Sequence, residues 1–132
     1  MMLLYVTLGS NDIARSRKFY DAAMVPLGII CTVSNEDGHC YGPIDSKTGE
    51  RQNILWVEKP YMELPATWGN GTMIALTATT RKQVDEFYAA GMANGGVDEG
   101  APGLRRYSPN FYACYMRDPD GNKLSAVCEA VE

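Results

Sequence analysis

The sequence predicts an α+β fold built from two βαβββ modules, and two observations carry this prediction. First, the stretch YVTLGSNDIARSRKFYDAAM, which begins at Tyr5, aligns at constant spacing with MIALTATTRKQVDEFYAAGM, which begins at Met73. Second, the hydrophobic period in each half changes from strand-like to helical and back to strand-like, in the same order. A repeat near half of a 132-residue chain indicates two similar modules within one domain.

The first module is expected to cover about residues 1–58. Its first strand is predicted over 3–8, and Asp12 is predicted to cap a helix that ends before Pro26 and Gly28. Three strand-like runs follow, separated by clusters of turn-forming residues, over 29–34, 40–44 and 53–58. A stretch without periodicity, over about 59–71, is predicted to be the linker to the second module.

The second module is expected to cover about residues 72–132. Its predicted elements are a strand over 73–77, a helix capped by Thr79 or Thr80, a weak strand over 97–99, a long loop GAPGLRRYSP, and strands over 111–117 and 123–129 joined by the turn DPDGN. A module of about 60 residues buries little surface alone, so the two sheets should join. We expect a curved mixed sheet around a cavity, with the helices on the outside.

The composition excludes several classes of function. Twelve Lys and Arg against sixteen Asp and Glu give a net charge of −4 without a basic run, which argues against a nucleic-acid partner. No stretch approaches the roughly 18 apolar residues that span a bilayer, so we expect no membrane partner and a cytoplasmic protein. The four cysteines are expected to be buried free thiols. The single histidine, His39, excludes a multi-histidine metal site and is expected to be a solvated loop residue.

Three stretches resemble the vicinal oxygen chelate superfamily, which includes glyoxalase I, bleomycin-resistance proteins, fosfomycin-resistance proteins and extradiol dioxygenases. They are YVTLGSND…RSRKFYDA, GTMIAL…VDEFYAAGMANGG and GAPGLRRY…NFYACYMRDPDGNKLSAVC. The resemblance implies paired modules that close around a divalent metal. It also implies metal ligands on the first strand of each module and three residues beyond the asparagine of DPDGN. These positions are Tyr5, Met73 and Ser125, none of which is an ordinary ligand for such a metal. We therefore expect the fold without its metal and without another cofactor.

Strand alternation, together with the resemblance, gives candidate residues for the cavity. If Ser125 faces the cavity, Lys123 and Val127 should share its face, whereas Leu124, Ala126 and Cys128 should face the helix. The resemblance implies a cavity-facing aromatic residue at Tyr115. Arg105 and Arg106 are each either a clamp for an anionic group or a solvated loop residue, and Tyr107 and Tyr112 are divided between rim and packing roles. The candidate ligand-binding residues are Tyr5, Thr7, Trp56, Met73, Ala75, Arg105, Phe111, Tyr115 and Ser125.

This aromatic, thioether and hydroxyl lining suits a small, partly aromatic or apolar organic ligand. The first hypothesis is therefore a metal-free binding protein similar to the bleomycin-resistance proteins. The alternative is a glyoxalase-like or dioxygenase-like lyase or isomerase, for which Tyr5 and Tyr115 are the available proton-transfer groups. A third hypothesis is a structural or regulatory domain in which the cavity is closed and these side chains pack a core. The resemblance also implies a homodimer, because family members pair modules within a chain or between chains.

Overall fold

The computed structural model of the protein describes residues 2–132. In chain order its elements are β1 (Val6–Gly9), α1 (Ile13–Ala23), a 3₁₀ turn (Val25–Leu27), β2 (Ile30–Asn35), β3 (Gly38–Gly42), β4 (Leu55–Glu58), β5 (Met73–Thr77), α2 (Arg81–Ala93), β6 (Val97–Leu104), β7 (Tyr112–Arg117) and β8 (Lys123–Cys128). The predicted fold class, two βαβββ modules, is confirmed.

The strands form two four-stranded mixed sheets with the same topology. The order is β1-β4-β3-β2 in the first sheet and β5-β8-β7-β6 in the second. In each sheet the first strand of the module pairs in parallel with the last, and the other pairs are antiparallel. Within residues 2–132 no ladder joins the two sheets, so the joined sheet that we expected is not formed by strand pairing.

Side-chain caps set the beginning of both helices. Asp12 accepts a hydrogen bond from the backbone N–H of Arg15 at 3.0 Å and caps α1, as predicted. Thr80, rather than Thr79, caps α2 through a capping box in which Gln83 reciprocates. These bonds satisfy N–H groups that have no partner within the helix.

The prediction of a long loop after a weak strand at 97–99 is wrong, because β6 continues through GAPG to Leu104. The pairing of β6 with β7 shifts register on either side of Gly100, as in β-bulges. Pro102 is tolerated because β6 is an edge strand, where a residue without an N–H need not break a ladder. Tertiary pairing therefore overrides the local turn signal.

Helix packing joins the two modules through one shared core. The core contains Phe19 and Tyr20 from α1, Phe87 from α2, and residues from the helix-facing side of both sheets. A Cβ on Gly91 of α2 would lie 2.2 Å from Met116 Cε and 3.1 Å from Phe19 Cε2. A larger residue at this position would require the buried Met116 side chain to move, so glycine gives α2 room beside β7 and α1.

The turn DPDGN also joins the modules, because it contacts the connection between β1 and α1. The Asp120 carboxylate accepts hydrogen bonds from Ser10 Oγ at 2.6 Å, from the Asn11 N–H at 2.9 Å and from Arg15 Nη2 at 2.9 Å. Asn122 Nδ2 donates to the Gly9 carbonyl at 3.0 Å. Each of these bonds crosses from the second module to the first.

The centre of this contact is a buried group of three residues, Tyr20, Asp118 and Asn122, which we call the inter-module latch. The Tyr20 hydroxyl donates to Asp118 Oδ2 at 2.6 Å, and Asn122 Nδ2 donates to the same oxygen at 2.8 Å. Burial raises the pKa of the Asp118 carboxyl above its ordinary value. Burial also raises the pKa of Tyr20 well above its ordinary value, so the phenol stays protonated and remains a donor.

Candidate functional site

Each sheet has one face covered by helices and one face free of them. Leu124, Ala126 and Cys128 of β8 belong to the core, as alternation predicted. Lys123, Ser125 and Val127 consequently share the opposite, helix-free face of the second sheet. The predicted site residues lie on the helix-free faces of both sheets, and they form two groups that we call the first and the second half-site.

The first half-site consists of Tyr5, Thr7, Trp56 and Glu58, which line a depression of about 310 Å³. Thr7 and Trp56 are register partners in the parallel pair of β1 and β4, so their side chains lie next to each other on one face. Tyr5 is 55% exposed. All four lining residues come from the first module, and Glu58 is a carboxylate that the candidate list did not include.

A second depression, of about 440 Å³, adjoins the first half-site. It lies between the linker and the helix-free face, and its lining includes Thr7, Gly9 and Glu58 together with residues of the linker. Asn11 holds this part of the linker in place through two hydrogen bonds with the backbone of Ala66, at 2.7 and 3.1 Å. The linker therefore forms one wall beside the first half-site.

The second half-site consists of Met73, Ala75, Arg105, Tyr115 and Ser125, with Lys123 beside them. Ser125 pairs in register with Ala75 on one side and Tyr115 on the other. The Arg105 guanidinium carbon lies 5.4 Å from the centroid of the Tyr115 ring, and Lys123 Nζ lies 5.7 Å from it. Lys123 was not among the candidate ligand-binding residues, although alternation had placed it on the same face as Ser125.

The other residues that the sequence suggested near this half-site differ in what they contact. Phe111 precedes β7 and packs edge-to-face against Tyr107, with 5.2 Å between ring centroids, and Tyr107 itself is 74% exposed. Tyr112 faces α2 instead, because its hydroxyl donates to Asp85 Oδ1 at 2.7 Å. Arg106 is exposed. Of these residues, Phe111 and Tyr107 pack on each other before β7, and Tyr112 packs against α2.

The residues at the three family metal positions do not fit a divalent metal. Tyr5 offers a phenol, Met73 a soft thioether and Ser125 a neutral hydroxyl, whereas such metals bind carboxylate, imidazole or thiolate donors. Tyr5 lies in the first half-site, whereas Met73 and Ser125 lie in the second, where Met73 pairs in register with Lys123. In the part of the chain that the structure describes, no group of three or more His, Cys, Asp or Glu residues could hold a metal ion.

The expectation that His39 is a solvated loop residue is wrong, because it lies within β3 and is fully buried. Asn35 Oδ1 accepts the backbone N–H groups of Asp37 and Gly38, which tightens the turn so that β3 begins at Gly38. The His39 ring packs edge-to-face against Tyr41, and neither ring nitrogen has a hydrogen-bond partner in residues 2–132. Burial lowers the pKa of His39.

The cysteines are free thiols, as predicted. Cys40, Cys114 and Cys128 are buried, and Cys31 is partly buried. Burial raises the pKa of Cys40 and raises the pKa of Cys114 to about 11, so these thiols are poor nucleophiles at neutral pH. The two half-sites together offer aromatic, hydroxyl, thioether and cationic groups and the Glu58 carboxylate, a set suited to holding an organic molecule.

Comparison with solved structures assigns this arrangement to a family. A glyoxalase/bleomycin resistance protein from Albidiferax ferrireducens T118 is 38% identical in sequence, with a TM-score of 0.83, and the match covers 98% of this chain and 100% of that chain. The chain belongs to the glyoxalase/bleomycin resistance protein family of the vicinal oxygen chelate superfamily. No protein-family model matches the sequence, and no curated protein sequence matches it significantly.

More distant structures share the fold of this glyoxalase/bleomycin resistance family member. A glyoxalase-related enzyme from Fulvimarina pelagi has a TM-score of 0.73 at 17% identity, covering 97% of this chain and 88% of that chain. A glyoxalase/bleomycin resistance protein/dioxygenase family enzyme from Burkholderia phytofirmans PsJN has a TM-score of 0.69 at 18% identity, covering 96% of this chain and 98% of that chain.

Among residues 2–132, no helix combines the length and the apolar character that a membrane span requires.

Proposed function

We propose that this protein binds a small, partly aromatic or apolar organic ligand on the helix-free faces of its sheets, without a metal ion or another cofactor. The exposure of large apolar side chains on these faces carries the proposal. Tyr5 is 55% exposed and Met73 is 42% exposed. Tyr5 also lines a depression, and exposed aromatic groups in such a position are typical of ligand sites.

The proposed ligand contacts follow from the side chains that are present. Tyr5 and Trp56 offer ring surfaces at the first depression, and the Thr7 hydroxyl offers a hydrogen bond beside them. On the second half-site, the Met73 thioether adapts its shape to an apolar group, and Tyr115 offers another ring. Binding of this kind requires shape, apolar contact and a few hydrogen bonds, all of which the half-sites supply.

We also propose that the protein is a homodimer in which a second copy covers the half-sites. Two features support this: the half-sites lie on separate sheets, and each leaves a large apolar side chain exposed in the single chain, Tyr5 in the first and Met73 in the second. Analytical ultracentrifugation should show a dimer at micromolar concentration, and Glu58→Arg should weaken it. A monomer under those conditions would contradict the dimer.

The binding proposal is tested by NMR, because the protein contains two tryptophans and therefore two indole N–H signals. Trp56 lies in the first half-site, whereas Trp68 packs against Arg117, whose guanidinium carbon is 5.0 Å from its ring. Titration with 2-naphthol, a flat neutral probe, should shift the Trp56 signal and leave the Trp68 signal in place. The variant Trp68→Phe assigns the two signals.

Mutation then locates the contact. Tyr5→Ala should weaken 2-naphthol binding by about tenfold, since removing a ring contact in an apolar site costs roughly 1.4 kcal/mol or more. Val25→Ala, at a similarly exposed apolar position after α1, is the control and should leave binding unchanged. An unchanged Trp56 signal across 2-naphthol and a wider set of flat aromatic compounds would refute the proposal.

One observation favours catalysis as a second candidate function. Glu58 provides a carboxylate within the same depression as Tyr5, so the first half-site contains a possible pair of proton-transfer groups. A metal-independent lyase or isomerase reaction would use Glu58 as a base. Glu58→Gln should then abolish conversion of a bound compound while it still binds, and binding without conversion by the unmodified protein would refute this candidate.

We further propose that the protein works in a reducing compartment such as the cytoplasm. Cys31 is partly exposed and unpaired, and an oxidising compartment would tend to couple such a thiol.

A further inference from the structure

Unpaired positive charge lies over a single aromatic ring on the helix-free face of the second sheet. Arg105 and Lys123 are both within 6 Å of the Tyr115 ring centroid, at 5.4 and 5.7 Å. Neither side chain forms an ion pair with a carboxylate in the described part of the chain. Among residues 2–132, the Arg105 guanidinium donates only to main-chain carbonyls, to Ala101 at 2.6 Å and to Leu104 at 3.4 Å. Part of its donor capacity is therefore free for a ligand.

A third cation on this face, Arg117, is already satisfied. It forms an ion pair with Glu99, donates to the Gly121 carbonyl at 2.8 Å and stacks on Trp68. The uncompensated charge on the face therefore belongs to Arg105 and Lys123. A local positive site is distinctive in a chain of net charge −4, and it would attract an anionic ligand.

The hydroxyl of Ser125, on the strand next to Tyr115, has no hydrogen-bond partner in the part of the chain that the structure describes. Ser125 is fully buried, and its Oγ has no hydrogen-bond partner among residues 2–132. Its register partner on β7 is Tyr115, the residue whose ring both cations approach. A buried hydroxyl without a partner is costly, and it becomes a favourable donor when an acceptor is placed next to it.

Two glycines of β6 make room for this arrangement. A Cβ on Gly103 would lie 2.9 Å from Arg105 Nη1, and a Cβ on Gly100 would lie 3.0 Å from Tyr115 Cδ2 and 3.4 Å from Arg105 Nη2. Larger residues at these positions would displace the guanidinium or the ring. The glycines in the sequence GAPG thus allow Arg105 to fold back over the sheet.

We propose that Arg105, Lys123 and Ser125 form an oxyanion-binding subsite next to the Tyr115 ring, and that the ligand is an apolar or aromatic molecule carrying a carboxylate or phosphate group. This inference rests on the proposed function, because it assigns the charged end of the same ligand. A guanidinium binds such groups bidentately, an ammonium adds a point charge, and the serine hydroxyl donates a further hydrogen bond.

The experiment compares benzoate, phenyl phosphate and the neutral analogue benzamide by isothermal titration calorimetry with the full chain. At least one of the anions should bind about tenfold more tightly than benzamide, which corresponds to one additional charge-assisted contact. The tighter of the two anions identifies a carboxylate or a phosphate as the preferred group, and either result supports the subsite.

Matched variants locate the contact. Arg105→Gln and Lys123→Gln should each weaken binding of the preferred anion by about tenfold and leave benzamide binding unchanged. Ser125→Ala should weaken binding of the preferred anion by a smaller factor. Arg106→Gln removes the same charge from the adjacent exposed position and should have no effect. Because Arg105 and Lys123 come from different strands, one variant remains informative if the other fails to fold.

The outcomes separate this inference from the proposed function. Equal binding of anions and benzamide, unchanged in Arg105→Gln and Lys123→Gln, would overturn the subsite while ligand binding stands. An effect of Arg106→Gln as large as that of Arg105→Gln would also overturn it, since only net charge would then matter. If neither these probes nor 2-naphthol binds, the proposed function and the subsite are both refuted.

Discussion

The substitution Tyr20→Phe tests whether the inter-module latch holds the two modules together. Tyr20 and Asp118 are buried, and the phenol donates to Asp118 Oδ2 at 2.6 Å. Phenylalanine keeps the ring in its core position, so the change removes only the hydroxyl. Asp118 retains Asn122 Nδ2 and the backbone N–H groups of Asp120 and Asn122 as donors.

The expected cost follows from the charge and burial of the acceptor. A hydrogen bond to a charged group contributes roughly 1.5–3 kcal/mol, and the three remaining donors keep the loss near the middle of that range, at about 2 kcal/mol. For a chain of this length, that loss lowers the thermal midpoint by roughly 6–10 °C.

Urea denaturation followed by circular dichroism measures the difference in the free energy of unfolding. The slope against urea should not change, because the surface exposed on unfolding stays the same. Tyr112→Phe is the matched control, since Tyr112 also donates to a carboxylate, Asp85 at 2.7 Å, but on an exposed surface. It should cost at most about 1 kcal/mol. A loss for Tyr20→Phe no larger than that for Tyr112→Phe would refute the latch.

Two further predictions concern His39 and the family metal positions. Because burial lowers the pKa of His39, the unfolded chain binds a proton more readily than the folded protein. The free energy of unfolding should therefore fall as the pH drops below about 6.5, and His39→Phe should reduce that fall, measured by urea denaturation at pH 7 and pH 5. A pH dependence identical in both proteins would contradict this account. Metal analysis of the purified protein should find well under one divalent ion per chain. The triple variant Tyr5→His, Met73→His, Ser125→Glu should bind Ni²⁺ or Zn²⁺, as measured by calorimetry. A folded triple variant without metal affinity would show that these positions are misassigned.

The sequence predicts helices and strands well where a local pattern, such as the hydrophobic period, is enough to determine them. The repeat and the change of hydrophobic period predict both helices and most strands within a few residues. Alternation along β8 correctly separates Leu124, Ala126 and Cys128 from Lys123. These predictions succeed because helix and strand periodicity is a local consequence of burying one face.

The errors arise where long-range pairing decides the structure. The GAPG segment contains strong turn residues, yet the ladder with β7 draws it into β6. His39 follows a turn-forming stretch, yet the ladder with β4, in which it pairs with Val57, places it inside β3. Periodicity also carries no information on whether two sheets join edge to edge, because a strand has the same pattern in either case.

The division of the site into two half-sites gives the loss of the family metal positions a physical consequence. In the family pattern, one metal takes ligands from both modules and so binds the two halves of a site to each other. Here Tyr5 lies in one half-site and Met73 and Ser125 lie in the other, and none of the three is a suitable donor. Contact between half-sites must then come from the ligand and from the proposed second copy. If one ligand touches half-sites of both copies, its apolar end against Tyr5 and its anionic end against Arg105, thermodynamic linkage requires that ligand binding and dimerisation strengthen each other by the same factor.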